Sequence, residues 1–299
     1  MERRPRLNKK IHSIILSMLI NAIIAISISI IIIKKASSTN VELTTNDKIT
    51  ENEIDNNTNE TESNEEKSRF DGLTLTSEDI GVPVLYYHSI NPSEDNELIL
   101  SPDRLRAQLQ YILDAGYTPL TISEMYGYLT NSMPIPEKSI LITFDDGYMD
   151  NYVYAYPILK ELGIKATIFL MTVGVDEGFY ISSDNMKEMS DNGIDIQCHT
   201  VTHPHLSTLS YDEQLKEITE SRDFIKNVTG KDVIAFAYPY GDYNDDTLQI
   251  VKDAGFSFAF TIKNGKSDRE DGLYTLDRIY VNSLETMDQF ISNLENAQK

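Results

Sequence analysis

The sequence predicts an α/β protein, a closed or nearly closed (β/α) barrel of about seven parallel strands preceded by an N-terminal transmembrane helix and a disordered linker. Three observations carry this. From Gly81 to the C-terminus short apolar runs alternate with amphipathic helical stretches, the pattern of a parallel sheet covered on its outer face. A junction of helix, glycine, apolar residue and strand recurs at Ala115-Gly116-Tyr117, Leu162-Gly163-Ile164, Asn192-Gly193-Ile194 and Ala254-Gly255-Phe256, each glycine capping a helix in the left-handed conformation. No glycine-rich dinucleotide fingerprint follows the first strand, which favours a barrel over an open doubly wound sheet.

The elements follow in order. Residues 1–10 are basic, through Arg3, Arg4, Arg6, Lys9 and Lys10, and residues 11–33 are almost wholly apolar. About 23 residues rising about 1.5 Å each match a hydrocarbon core of about 30 Å. More positive charge precedes this run than follows it, which places the N-terminus in the cytoplasm and the remainder outside the cell membrane. No small-residue cleavage site stands out after it, so residues 1–35 read as a basic stub and uncleaved single-pass signal anchor. Residues 36–79 are rich in Asn, Thr, Ser, Glu and Asp and read as a disordered acidic linker with an r.m.s. span of roughly 35–40 Å.

The folded domain is expected over residues 80–299. Val82 to Tyr87 is a strand with Pro83 near its start. Ser101-Pro102-Asp103 opens a helix that ends at Gly116. Leu141 to Phe144 runs as a buried strand into Asp145-Asp146-Gly147. Later strands are Ala166–Leu170, Asp195–Cys198, Val233–Ala237, Ser257–Thr261 and Tyr274–Val281. Ser210 and Glu213 form a capping box for a helix running to about Val228. Helices over Asn244–Ala254 and Leu284–Gln298 complete the chain.

Composition narrows the function classes. A net charge of −21 excludes nucleic acid as a partner, because phosphate binding needs a basic face. Cys198 is the only cysteine, so the chain has no intrachain disulfide and no cysteine-rich metal site; it reads as a small buried residue.

Barrels of this kind gather chemistry at the C-terminal ends of their strands, and the polar clusters obey that rule. Asp-Asp-Gly is ordinary turn chemistry when alone. Two adjacent carboxylates in a tight turn repel, however, and the repulsion is relieved when one binds a cation and the other takes a proton. After a second strand come His199 and His203, spaced i and i+4 as on one side of a helical turn. With Asp146 they make a two-His, one-carboxylate set for a divalent metal ion, leaving Asp145 free to work as a base. Phe236-Ala237-Tyr238-Pro239-Tyr240-Gly241 closes another strand, where Pro239 and Tyr240 form a groove wall with a backbone N–H aimed inward. His88 follows the first strand, either as a structural residue or as a group that titrates in the reaction. His205, beyond Pro204, takes a surface or substrate-edge position.

Thr143-Phe144-Asp145-Asp146-Gly147, His199-Thr200-Val201-Thr202-His203 and Tyr238-Pro239-Tyr240-Gly241 resemble, in this order, the first three motifs of the polysaccharide deacetylases of carbohydrate esterase family 4. The resemblance runs from about Gly81 to the C-terminus. It implies a distorted (β/α) barrel and metal-dependent removal of N-acetyl or O-acetyl groups from a polysaccharide, with Asp145 as general base and Asp146, His199 and His203 as ligands of one divalent ion, zinc first and cobalt, nickel or iron as alternatives; the Tyr240 backbone N–H would then stabilise the oxyanion. Many members carry an arginine early in the third motif, where this chain has Ala237, and a late acid histidine, whereas no histidine here follows His205. Val84-Leu85-Tyr86-Tyr87-His88 instead looks like the biofilm poly-N-acetylglucosamine deacetylase branch, which makes His88 the general acid by resemblance. Arg278 is a candidate for the missing cation beside Asp145, with a surface ion pair as the alternative.

The partners so implied are an acetylated polysaccharide, the membrane through the N-terminal helix, and the polymer's synthesis or export machinery. Rival readings are the same chemistry on peptidoglycan or chitin-like chains, a glycosidase, and a non-catalytic membrane-tethered glycan binder. Sequence-adjacent Asp145 and Asp146 are badly placed to flank a sugar at the separations of about 5–9.5 Å that glycosidases use.

Overall fold

The computed structural model describes residues 69–93 and 96–299. The apolar segment at 11–33 and the linker up to residue 68 lie outside the described residues. Among those described, no helix is long and apolar enough to cross a membrane. Residues 69–79, expected in the linker, pack on the domain. Leu75–Thr76 pairs antiparallel with Ile135–Pro136, and Arg69 ion-pairs with Glu124. The folded unit therefore reaches back at least to Arg69.

Seven parallel strands form the ring: β1 (Val82–Tyr87), β2 (Ser139–Asp146), β3 (Thr167–Leu170), β4 (Asp195–Cys198), β5 (Ala235–Ala237), β6 (Phe258–Asn264) and β7 (Leu276–Tyr280). Each pairs with the next in sequence, and β7 and β2 both pair with β1, which closes the barrel. Short strands flank the ring: Thr118–Pro119 runs parallel along β2, Lys266–Ser267 runs antiparallel along β1, and Ser89–Ile90 pairs parallel with Ile99–Leu100 just past β1. A closed ring leaves few unpaired strand groups to attract other chains.

Helices α1 (Pro102–Asp114), α2 (Ile122–Asn131), α3 (Tyr156–Leu162), α4 (Ser183–Asp191), α5 (Tyr211–Thr229), α6 (Asp245–Asp253) and α7 (Met287–Asn296) complete the fold. Side-chain alternation along the strands divides the core in two. Leu85, Tyr87, Ile142, Phe144, Ile168, Leu170 and Phe236 pack outward among the covering helices. Val82, Val84, Leu141, Phe169, Ala235, Phe258, Phe260 and Leu276 form a second cluster that fills the ring.

Helix α2, unforeseen in the sequence, has its own capping box, Thr121 with Glu124. Its Ile122, Met125, Tyr128 and Leu129 join the inner cluster, and its first N–H is held by Asp195 at the start of β4. It thus closes the N-terminal end of the barrel. The opposite end stays open, and there the strands deliver their polar tips.

Candidate active site

Consecutive strand residues face opposite sides of a sheet, so Asp145 and Asp146 at the tip of β2 should point apart. Phe144 obeys the rule and stacks outward on Tyr87, ring centroids 5.2 Å apart. Asp146 has φ 70° and Gly147 φ 75°, and this turn swings the second carboxylate round so that both acids line one cavity. A Cβ on Gly147 would strike the Leu170 side chain. Asp146 itself sits in a conformation costly to a non-glycine residue, the kind of strain found where function demands it.

Arg278, on β7, is completely buried and grips Asp145 with two bonds, Nη1 to Oδ1 at 2.9 Å and Nη2 to Oδ2 at 2.8 Å. Its Nε donates to the Thr261 carbonyl at 2.9 Å, and its guanidinium lies 4.2 Å over the Tyr86 ring. Burial alone would raise the Asp145 pKa, but the Arg278 charge and hydrogen bonds, with smaller contributions from His199 and His88, together outweigh it and bring the group down to about 2. Asp145 is therefore ionised throughout any working pH. A carboxylate held so low is a weak base towards ordinary water, and it can serve only beside something that acidifies the water it meets.

That something fits next door. His199 Nε2 lies 3.6 Å and His203 Nε2 3.3 Å from Asp146 Oδ1, and the three donor atoms fall within 4.8 Å of one another. The i, i+4 spacing suggested a helical turn. The connecting segment is instead a non-helical loop in which Thr200 (φ 71°) and His203 (φ 58°) take left-handed conformations. Glu217 of α5 holds that loop, accepting the N–H groups of Val201 at 3.0 Å and Thr202 at 2.8 Å and the Thr202 hydroxyl at 2.8 Å.

The ring nitrogen His199 Nδ1 lies 2.7 Å from the Ala237 carbonyl. A carbonyl can only accept, so Nδ1 carries the proton and Nε2 presents a lone pair towards Asp146. Burial keeps His199 neutral, its pKa lowered to about 3, and burial also raises that of Asp146. Asp146 Oδ1 is buried with no hydrogen-bond partner. Two imidazole lone pairs and an orphaned carboxylate oxygen aimed at one point form a donor set that suits a divalent cation, whose charge would reverse the penalty on Asp146.

Of the remaining sequence-predicted residues, His88 and Tyr240 line the same cavity, which has a volume of about 660 Å³, whereas Pro239 and His205 do not. His88 stands past β1, its ring edge-on to Tyr86 and Tyr280 at 5.8 and 6.0 Å. Pro239 is buried, whereas Tyr240 is half exposed in a left-handed turn at φ 58°. The Tyr240 ring stacks on exposed His205 at 4.1 Å and meets His203 at 4.4 Å. Cys198 is buried and unpaired beneath the loop, as expected for an inert packing residue.

Sequence reasoning missed Tyr148, which hydrogen-bonds Asp146, and it missed Glu217, Asp150 and Asn151, which brace the loops. Glu217 falls on an exposed-looking helix face, and its only signal was its place in the helix following the histidines.

Comparison with known proteins agrees with this geometry. The family profile described as polysaccharide deacetylase matches residues 132–259, a span holding both acids, both histidines and Tyr240. YxkH of Bacillus subtilis strain 168, assigned to the polysaccharide deacetylases, is 37% identical over 200 residues, covering 67% of this chain and 71% of that protein. The poly-β-1,6-N-acetyl-D-glucosamine N-deacetylase of Staphylococcus aureus strain MRSA252 is 29% identical over 213 residues, covering 66% of this chain and 72% of the relative. Among solved structures, the Streptococcus pyogenes deacetylase PplD in complex with acetate superposes with a TM-score of 0.68 at 35% identity, over 73% of this chain and 99% of that one. With two acids, two histidines and a buried arginine meeting at the open end of a seven-stranded barrel, the chain belongs to the polysaccharide deacetylases of carbohydrate esterase family 4.

Proposed function

We propose that this deacetylase removes N-acetyl groups from an extracellular N-acetylglucosamine polymer of the poly-β-1,6 type and releases acetate, acting outside the cell while residues 11–33 tether it to the membrane. One observation carries the reading: a carboxylate locked in its charged form by Arg278 lies beside a two-histidine, one-aspartate donor set, with His88 on the same cavity. The similarity to the Staphylococcus aureus enzyme supports the choice of polymer.

Asp146, His199 and His203 would hold one divalent ion, zinc in the first instance. Such an ion supplies Lewis acidity to the acetyl carbonyl and acidity to a water. Asp145 takes the proton of the attacking water, and Arg278 fixes the direction of its lone pairs. The Tyr240 backbone N–H donates to the oxyanion of the tetrahedral intermediate. His88 gives a proton to the nitrogen as the C–N bond breaks, because an amine is a poor leaving group as an anion.

The test is acetate release from poly-β-1,6-N-acetylglucosamine, chitin oligomers and peptidoglycan, before and after chelation. The expected outcome is highest turnover on the first polymer, loss on chelation and recovery with zinc. Faster turnover on either other polymer reassigns the substrate, and release of reducing ends instead of acetate removes the reading altogether.

A further inference from the structure

The acid assigned to His88 stands just beyond β1, where the ladder of the barrel no longer fixes the chain. Another segment holds it there. Asn151 donates from Nδ2 to the His88 carbonyl at 2.7 Å. Its neighbour Asp150 accepts the Ile90 N–H at 3.1 Å and the Ser89 hydroxyl at 2.5 Å. Three consecutive residues, 88 to 90, are thus fastened to two consecutive residues that follow the β2 turn.

Two features set this clamp apart from ordinary packing. Asn151 opens a π-helical turn, Asn151–Ala155, that runs into α3, and such turns are rare and concentrate at functional sites. Asn151 is also completely buried, and its Oδ1 has no hydrogen-bond partner. Enclosing an amide with half its bonding capacity unused is costlier than enclosing an apolar side chain, so filling space does not account for an asparagine here. The His88 ring has little else to steer it. Its Nδ1 is buried without a partner, and its ring neighbours are the edge contacts of Tyr86 and Tyr280.

We propose that Asn151, with Asp150 beside it, is a positioning residue that sets the His88 imidazole against the scissile C–N bond. The inference rests on His88 being the acid. In that step protonated His88 transfers its proton to the departing nitrogen, the C–N bond breaks, and the imidazole is left neutral. A misplacement of about 1 Å in such a group can slow a reaction about 100-fold. The loss should fall on amides, whose nitrogen needs the proton, and spare activated esters, whose leaving group does not.

The experiment compares kcat and KM for an N-acetylglucosamine oligomer and for an activated aryl acetate in the wild type, His88→Ala, Asn151→Ala and the double variant. Asn151→Ala is expected to lower the amide kcat about 10- to 100-fold, with KM and the ester rate nearly unchanged. The double variant should be no slower on the amide than His88→Ala alone, because both changes remove one proton transfer. Equal losses on amide and ester in Asn151→Ala, or losses that multiply in the double variant, overturn the inference. If His88→Ala itself fails to discriminate amide from ester, the acid assignment falls first, so the two failures are told apart. Asn151→Ser, whose hydroxyl is too short to reach the His88 carbonyl, should show the same selective loss and replaces the alanine variant if that one does not fold; wild-type kinetics there overturn the inference equally.

Discussion

Asp145 and Arg278 are enclosed together, and such a pair is worth little net stability while being expensive to split, because the survivor keeps an uncompensated charge in the interior. Arg278→Met should therefore cost about 3–5 kcal/mol in urea unfolding, and adding Asp145→Asn to the same chain should recover part of it. Catalysis separates the two acids differently. Asp145→Asn should bind zinc as the wild type does while losing most acetate release, whereas His199→Ala should lose both, as read by calorimetric zinc titration beside the activity assay. The acids and histidines were legible in the sequence because their chemistry is uncommon at strand tips. Arg278 was legible only as a candidate, since it meets its partner across 133 positions. Asn151 was not legible, because a polar residue at a helix start looks like any other until its burial is known.

Among the elements, strand positions came through because apolar runs bounded by turn residues leave few alternatives. The histidine loop did not. Its geometry depends on a threonine and a histidine in left-handed conformations, which residues of those types seldom adopt and no spacing rule anticipates. Helix α2 was overlooked despite its capping box, because it is short and its apolar side serves the inside of the barrel. Its Glu124 also ties down the start of the described chain through Arg69. Burial alone would raise the Glu124 pKa, but hydrogen bonds from Arg69 and Thr121 and the Arg69 charge together lower it below the ordinary 4.5. A depressed folded-state value stabilises above the unfolded value, and the gain is lost as pH falls through the folded one. Glu124→Gln keeps the cap but not the charge. It should cost about 0.2–1 kcal/mol at neutral pH, and the difference should shrink as pH falls below 4.5. Urea unfolding at several pH values checks both.

At the scale of the whole molecule, the barrel was legible from the rhythm of helix, glycine and strand, whereas its closure was not, since nothing local states that the first and last strands meet. The charge of −21 acts at this scale too. On the proposed N-acetylated substrate each deacetylation would leave an amine that is cationic near neutral pH, so affinity for the polymer should rise with its degree of deacetylation. It should weaken as salt is raised past the physiological range, where screening already acts within about 8 Å. Calorimetric titration with polymers of graded acetylation measures both trends. Closure itself bears on the protein's biogenesis. Arg278 lies on the seventh strand and Asp145 on the second, so during synthesis the proposed base meets its partner only after the last strand of the ring has been made. Closing the ring and orienting the Asp145 carboxylate are consequently one event.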